Sequence, residues 1–367
     1  MSNEMFRSMT EFERVRPQRP LGELSNFVVE HMPLTLFNIR EGGVSSDELA
    51  ITAEYLVNSV TQNTIDSLTQ PNQSRGFGES LSTNYPLMIA HLDTTMLEAA
   101  IVHSGGTPSD RLMKLVDILS EASDQVPGIT YEGITYINPQ DDIRTFTLDD
   151  KGNPHPAEAH FYKGHVRIEK GLDQASQYIH SACRILSDPD IQKQLSYSPQ
   201  ELLNEASQLL KQSNKVISKY KTTLPSASFR TFRQYLTNHP IRDIKGPSGA
   251  FSPGIPVLDM QIAGMTLPRF MFQYYHDNFK YFPRQGRHDI KNTFELIQQG
   301  VSLNKLIPVS DPFIDSYDEL KEQMRIFRAL HLGAVHEQLA DIMTGTAGEE
   351  IQPFLTNRLK LHNNKFI

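Results

Sequence analysis

Met324-Arg-Ile-Phe-Arg-Ala-Leu-His331-Leu-Gly-Ala-Val335 reads as a helix that carries a histidine on its apolar face. Leu320, Met324, Phe327, His331, Val335, Leu339 and Ile342 recur at steps of three and four. At about 100° per residue that spacing gathers them on one buried stripe. Ser316-Tyr-Asp-Glu319 has the S-x-x-E spacing of a capping box and predicts the helix start, and Gly345 predicts its stop. An imidazole on such a stripe needs a polar partner or a metal, because a buried ring nitrogen left unsatisfied is costly. Two readings follow: a core histidine bonded to a carbonyl, or a metal ligand.

Working outward, the chain reads as helices with few strands. Ser45-Ser-Asp-Glu-Leu49 opens a helix whose apolar positions include Leu49, Ile51, Tyr55, Leu56 and Val60. The stretches 87–102, 111–119, 199–210 and 290–297 are also predicted helical. Ile129-Thr-Tyr-Glu-Gly-Ile-Thr-Tyr-Ile137 alternates as a short strand or hairpin would. Leu148-Asp-Asp-Lys-Gly-Asn-Pro-His-Pro156 is dense in turn formers and is read as a linker, and 70–78 and 246–256 as Gly/Pro/Ser-rich loops. The expected fold is mainly α: a smaller α-rich N-terminal subdomain over 1–150 and a large C-terminal helical bundle over 151–367. There is no internal repeat.

Composition narrows the function. The 367 residues suffice for a large core, and 38% hydrophobic with 21% charged residues suits a globular protein. A net charge of −8 without a Lys/Arg cluster argues against a nucleic-acid or anionic-membrane partner. Nothing approaches the roughly 18 consecutive apolar residues of a membrane span. Met1-Ser-Asn-Glu-Met-Phe-Arg7 lacks a signal peptide's apolar core, so a cytoplasmic location is expected. One cysteine, Cys183, excludes an intramolecular disulfide, C-x-x-C-H haem attachment and a cysteine-rich zinc site.

Several chemistries drop out. His336-Glu337 has no second histidine at zincin spacing, and His331 and His336 are too far apart around a helix to chelate one metal. Ser104-Gly-Gly-Thr107 and Gly246-Pro-Ser-Gly249 lack Walker and G-x-G-x-x-G spacing, and there is no G-x-S-x-G elbow. A single helix-borne histidine in a helical protein suits haem, whose iron needs one protein ligand when its other face is kept for a gas.

Arg328-x-x-His331-Leu resembles the proximal-histidine helix of the indoleamine and tryptophan 2,3-dioxygenase superfamily of haem enzymes. The wording Phe327-Arg-Ala-Leu-His331-Leu is most similar to that superfamily's pyrrolnitrin-biosynthesis branch, the monodechloroaminopyrrolnitrin synthases. Four further segments resemble the family in order. Glu158-Ala-His160-Phe161-x-x-x-His165-Val-Arg-Ile resembles the distal-side helix, and Phe232-Arg233-Gln-Tyr-Leu the strip whose arginine grips the substrate carboxylate. Gly246-Pro-Ser248-Gly-Ala-Phe-Ser252, followed by Leu258-Asp259, resembles the serine-rich loop at the haem edge. Gly345-Thr346-Ala-Gly348 resembles the mobile loop that closes over the substrate. The resemblance spans 158–348; before it, Val126-Pro-Gly and Tyr136-Ile-Asn-Pro139 match more loosely.

The resemblance implies a haem-dependent oxidoreductase with non-covalent haem b, its iron on His331. Arg328 would reach a propionate or pair with Asp259. Ser248 and Ser252 would bond propionate or substrate, though loop serines mostly cap turns. Arg233 would clamp a carboxylate, or else stack on Phe229, Phe232 and Tyr235. Thr346 would meet the substrate's amino-acid group, or else belong to a helix C-cap loop. His165 would be the distal residue, accepting an indole N–H or donating to oxygen, with His160 five residues earlier as the alternative. The implied partners are molecular oxygen and an aromatic amino acid, with a homo-oligomer open. The implied reaction is 2,3-dioxygenation of tryptophan or a related indole. Mono-oxygenation or rearrangement of a modified aromatic amino acid, and a non-enzymatic haem sensor, are the competing readings.

Overall fold

A computed structural model describes residues 19–70, 85–188, 190, 197–308, 312–339, 344–348 and 350–360. The fold is mainly helical. Among the described residues there is no strand, only two isolated antiparallel bridges, Leu148 to Pro154 and Thr344 to Glu350. The chain forms two compact units. The first takes residues up to Lys163 together with Ala227–Ser248 and Thr346–Gly348; the second takes Gly164–Ser226, Gly249–Gly345 and Glu349 onward. The division falls inside helix Pro156–Ser187, so the Leu148–Pro156 turn belongs wholly to the first unit.

The first unit is built around helix Tyr85–His103, which is buried all round from Leu87 to Val102. Its apolar residues occupy every face, so it serves as a central rod rather than an amphipathic cover. Helices Ser46–Ser59 and Asp110–Ser123 pack on it. A helix opens at this segment as predicted, and Ser45 caps it: its side chain accepts from the Glu48 amide, and Glu48 accepts from the Ser45 amide. Leu49 and Leu56 are buried, but Ile51 and Tyr55 are 67% and 70% exposed, so the buried face of this helix is narrower than expected.

Of the expected strand at 129–137, residues 131–137 are helical. Gly133–Ile137 is a π-helical turn, entered as the Thr130 hydroxyl accepts the Gly133 amide at 2.9 Å. Ile129, Tyr131, Ile134 and Ile137 are all buried, and a short apolar run buried on several sides mimics strand alternation.

In the second unit, helix Pro199–Thr223 and helix Ile314–Gln338 make the broadest contact, pinned by Asn214 donating to the Gln323 carbonyl. Helix Gly254–Ala263 packs on helix Arg284–Gln298, and Ile351–Lys360 packs on Ile314–Gln338. The 246–256 loop is therefore shorter than expected, because helix starts at Gly254. The Ser316 capping box does not form. The turn at Phe313 starts the helix at Ile314, with the Tyr317 amide bonding the Phe313 carbonyl, so Ser316 already lies buried within the first turn. The helix ends at Gln338, where the Leu339 amide closes the last bond to Val335; Gly345 is not its stop. Of the predicted stripe, Leu320, Met324, Phe327 and Leu339 are buried, while His331 and Val335 are half-buried. Ile342 lies outside the described residues.

Candidate functional site

The predicted residues fall into two sets, one in each unit. His331, Arg328, Ser252 and His165 belong to the second unit, and Arg233, Ser248 and Thr346 to the first.

His331 sits mid-helix, one turn after Arg328. Burial pushes its pKa down to about 4, and the charges of His165, Arg358 and Arg328 act in the same direction. The ring is therefore neutral at physiological pH, the form that ligates metals. Neither ring nitrogen has a hydrogen-bond partner among the described residues, and the residue keeps part of its surface accessible.

Arg328 is buried and takes the second of its two predicted roles: its Nη2 donates to Asp259 Oδ1. The fully buried Asp259 also accepts from the Tyr275 hydroxyl at 2.9 Å. Arg358 lies over Tyr275 and its neighbour Tyr274, its guanidinium carbon 5.0 Å from the Tyr274 ring and 5.9 Å from the Tyr275 ring. Arg328 Nε and Ser252 Oγ are buried with no hydrogen-bond partner among the described residues.

These observations fit haem. A neutral imidazole could ligate one iron, and two donors with unfilled capacity would suit carboxylates such as propionates. No three His, Cys, Asp or Glu side chains come together as a ligand set among the described residues.

His165 lies on helix Pro156–Ser187, half-buried, with Tyr220 beside it. The Tyr220 hydroxyl is 3.3 Å from His165 Nδ1 and the rings stack at 26°. His160 falls on the first-unit side of the division, whereas His165 shares the second unit with His331. Glu158, at the head of the same strip, is structural. It accepts from the Phe146 and Thr147 amides at 2.8 and 2.9 Å and from the Tyr162 hydroxyl at 2.8 Å. Burial still pushes its carboxyl up to about 7.

In the first unit, Arg233 is the last residue of helix Ser226–Arg233 and is buried. Phe161, Phe229 and Phe232 cluster around that helix with ring centroids 5.3–5.5 Å apart. The segment after it is held to the Thr346 loop. Gly246 N–H donates to the Thr346 carbonyl at 3.1 Å, and the Thr346 hydroxyl lies 3.5 Å from the Pro247 carbonyl. A Cβ on Gly246 would sit 2.3 Å from the Leu236 carbonyl oxygen and 2.5 Å from that of Thr346, so only glycine fits. Thr346 is thus strapped to the segment that bears the buried Ser248, and it is no C-cap of the helix ending at Gln338.

Two other histidines of the first unit serve as references. His91 is fully buried with a pKa near 4, and its Nε2 lies 3.1 Å from both Ser120 Oγ and the Val126 carbonyl. His239 makes no ring hydrogen bond among the described residues, its Nε2 lying 3.7 Å from Glu98 Oε2, and it lines a cavity of about 10 Å³, space for one water rather than a macrocycle.

Tyr220, Tyr275 and Arg358 escaped the sequence reading. Their partners lie far along the chain, and only Gly164, a glycine inside a helix, signalled a close approach. No protein-family model matches the chain, and no curated protein matches it significantly in sequence.

Proposed function

We propose that this protein is a haem-dependent oxygenase acting on tryptophan or a related indole amino acid, with 2,3-dioxygenation as the reaction. The observation that carries the reading is His331, a neutral, partly accessible imidazole without a hydrogen bond among the described residues, one turn after a buried arginine. Haem, when bound, supplies dioxygen activation and the redox chemistry. Everything else falls to the chain.

His331 would hold the iron. Asp259 and Tyr275 fix Arg328, so that its Nε is presented without the entropy of a free side chain. Arg328 and Ser252 would bond the propionates. Arg233 would pair with the substrate carboxylate, and the neighbouring phenylalanines would supply a dry, aromatic surface for an indole. Thr346 and Ser248 would hydrogen-bond the amino-acid end, and His165 would hold a proton beside the reacting atoms. The work of these residues is positioning, which brings a large rate advantage once the reactants are held in line.

The test is mass spectrometry of products formed by the ferrous haem-loaded protein from a panel of aromatic amino acids under labelled dioxygen. Two labelled oxygens in an N-formylkynurenine-type product are expected from tryptophan. One labelled oxygen would shift the reading to mono-oxygenation, and no product from any member would remove the enzymatic reading.

A further inference from the structure

We propose that Tyr220 is a positioning residue for His165: its hydroxyl donates to Nδ1 and thereby fixes the imidazole proton on Nε2. The inference deepens the function proposed above and rests on His165 acting beside the substrate. Three observations carry it. The Tyr220 oxygen lies 3.3 Å from His165 Nδ1, and the rings stack with centroids 5.9 Å apart. Tyr220 is buried on helix Pro199–Thr223, so its ring is held by packing. Gly164, immediately before His165, makes the approach possible: a Cβ there would stand 2.3 Å from the Tyr220 oxygen and 2.8 Å from its Cε1.

The direction of the bond follows from acidity. A phenol is a far stronger acid than a neutral imidazole N–H, and an imidazole lone pair is a far better acceptor than a phenol oxygen. The bond therefore runs O–H to Nδ1, and burial keeps the phenol protonated by pushing its pKa up. In a neutral histidine, the nitrogen that accepts leaves the proton on the other. Nε2, which would lie 3.9 Å from a Cβ on Gly249, then carries the N–H. His165 is thus a donor toward whatever lies at Nε2. It would serve an oxygen acceptor there and not an indole N–H, a choice the sequence left open.

The test starts with haem-free protein carrying nitrogen-labelled histidine. Long-range proton–nitrogen NMR reads the tautomer, and His165→Ala identifies the signals. Wild type should show the Nε2–H tautomer. Tyr220→Phe keeps the ring and removes the hydroxyl, and Gly164→Ala displaces it; both should move the population toward Nδ1–H. An Nδ1–H tautomer in wild type, or an unchanged tautomer in Tyr220→Phe, overturns the inference without reference to haem. In ferrous protein under carbon monoxide, the C–O stretch should rise in Tyr220→Phe as the donor at Nε2 is lost. Turnover should fall about tenfold with KM little changed. A protein that takes up no haem but shows the expected tautomers would defeat the function proposed above and leave the Tyr220 assignment standing. Loss of stability alone, with tautomer and stretch unchanged, would make Tyr220 merely structural.

Discussion

His91 and His331 lie mid-helix in different units, and burial holds both neutral with pKa values near 4. By helical position and proton affinity they are twins, and their hydrogen bonds separate them. His91 shares its Nε2 with Ser120 and the Val126 carbonyl inside a fully buried helix, the arrangement expected of a core histidine. His331 has no such bond among the described residues and keeps partial access. Apolar neighbours along a helix cannot tell these cases apart, because both histidines have them. The distinction lies in what the ring touches.

The arginines offer the widest test of this contrast. Arg144 is structural, its Nε donating to Asp93 at 2.8 Å with both side chains fully buried. Arg233 is read as the arm that holds a ligand. Arg233→Ala should weaken L-tryptophan by about 2–5 kcal/mol, since a carboxylate would enter a dry site unmatched. Tryptamine, which lacks the carboxylate, should lose little. The protein contains no tryptophan, so the ligand's own fluorescence reports binding. Equal losses for both ligands would place Arg233 with Arg144.

A smaller effect separates the histidines directly. His91→Ala leaves a cavity and strips Ser120 and the Val126 carbonyl of a donor, so urea unfolding should show about 2–4 kcal/mol lost. His331→Ala in haem-free protein should cost within about 1 kcal/mol, as no hydrogen bond among the described residues is broken. Similar losses at both sites would erase the contrast.

The most gradual effect is in acid. Unfolded, His91 takes up a proton near its ordinary pKa of 6.5; folded, it resists until about 4. Between those values the unfolded chain binds more protons, so stability falls as pH falls, by up to about 1.4 kcal/mol per pH unit from this residue. The difference in stability between wild type and His91→Ala should narrow by that slope from pH 6.5 to 4. A constant difference would mean that His91 is not held neutral.

Much of this architecture was legible because it is local. The Ser45 cap, the buried run 87–102 and the helix bearing His331 all follow from neighbours within a few residues. Ser316-x-x-Glu319 shows the limit of such signals: the same spacing that caps one helix lies inside another, because an upstream turn started it first. The polar framework of the candidate site is long-range. Asp259 meets Arg328 across 69 residues, and Tyr220 meets His165 across 55. No periodicity encodes such pairs. Gly246 and Gly164 mark two such approaches in the structure, glycines whose missing side chains admit another part of the chain.

The central claim is that His331 is a ligand histidine and His91 a core one. Its most direct test is haem titration of wild type, His331→Ala and His91→Ala, read by the ferrous absorption and resonance Raman spectra. Wild type and folded His91→Ala should each bind one haem with a five-coordinate iron–histidine signature. His331→Ala should lose that signature and most haem retention. Unchanged haem content and an unchanged iron–histidine signature in His331→Ala would contradict the account.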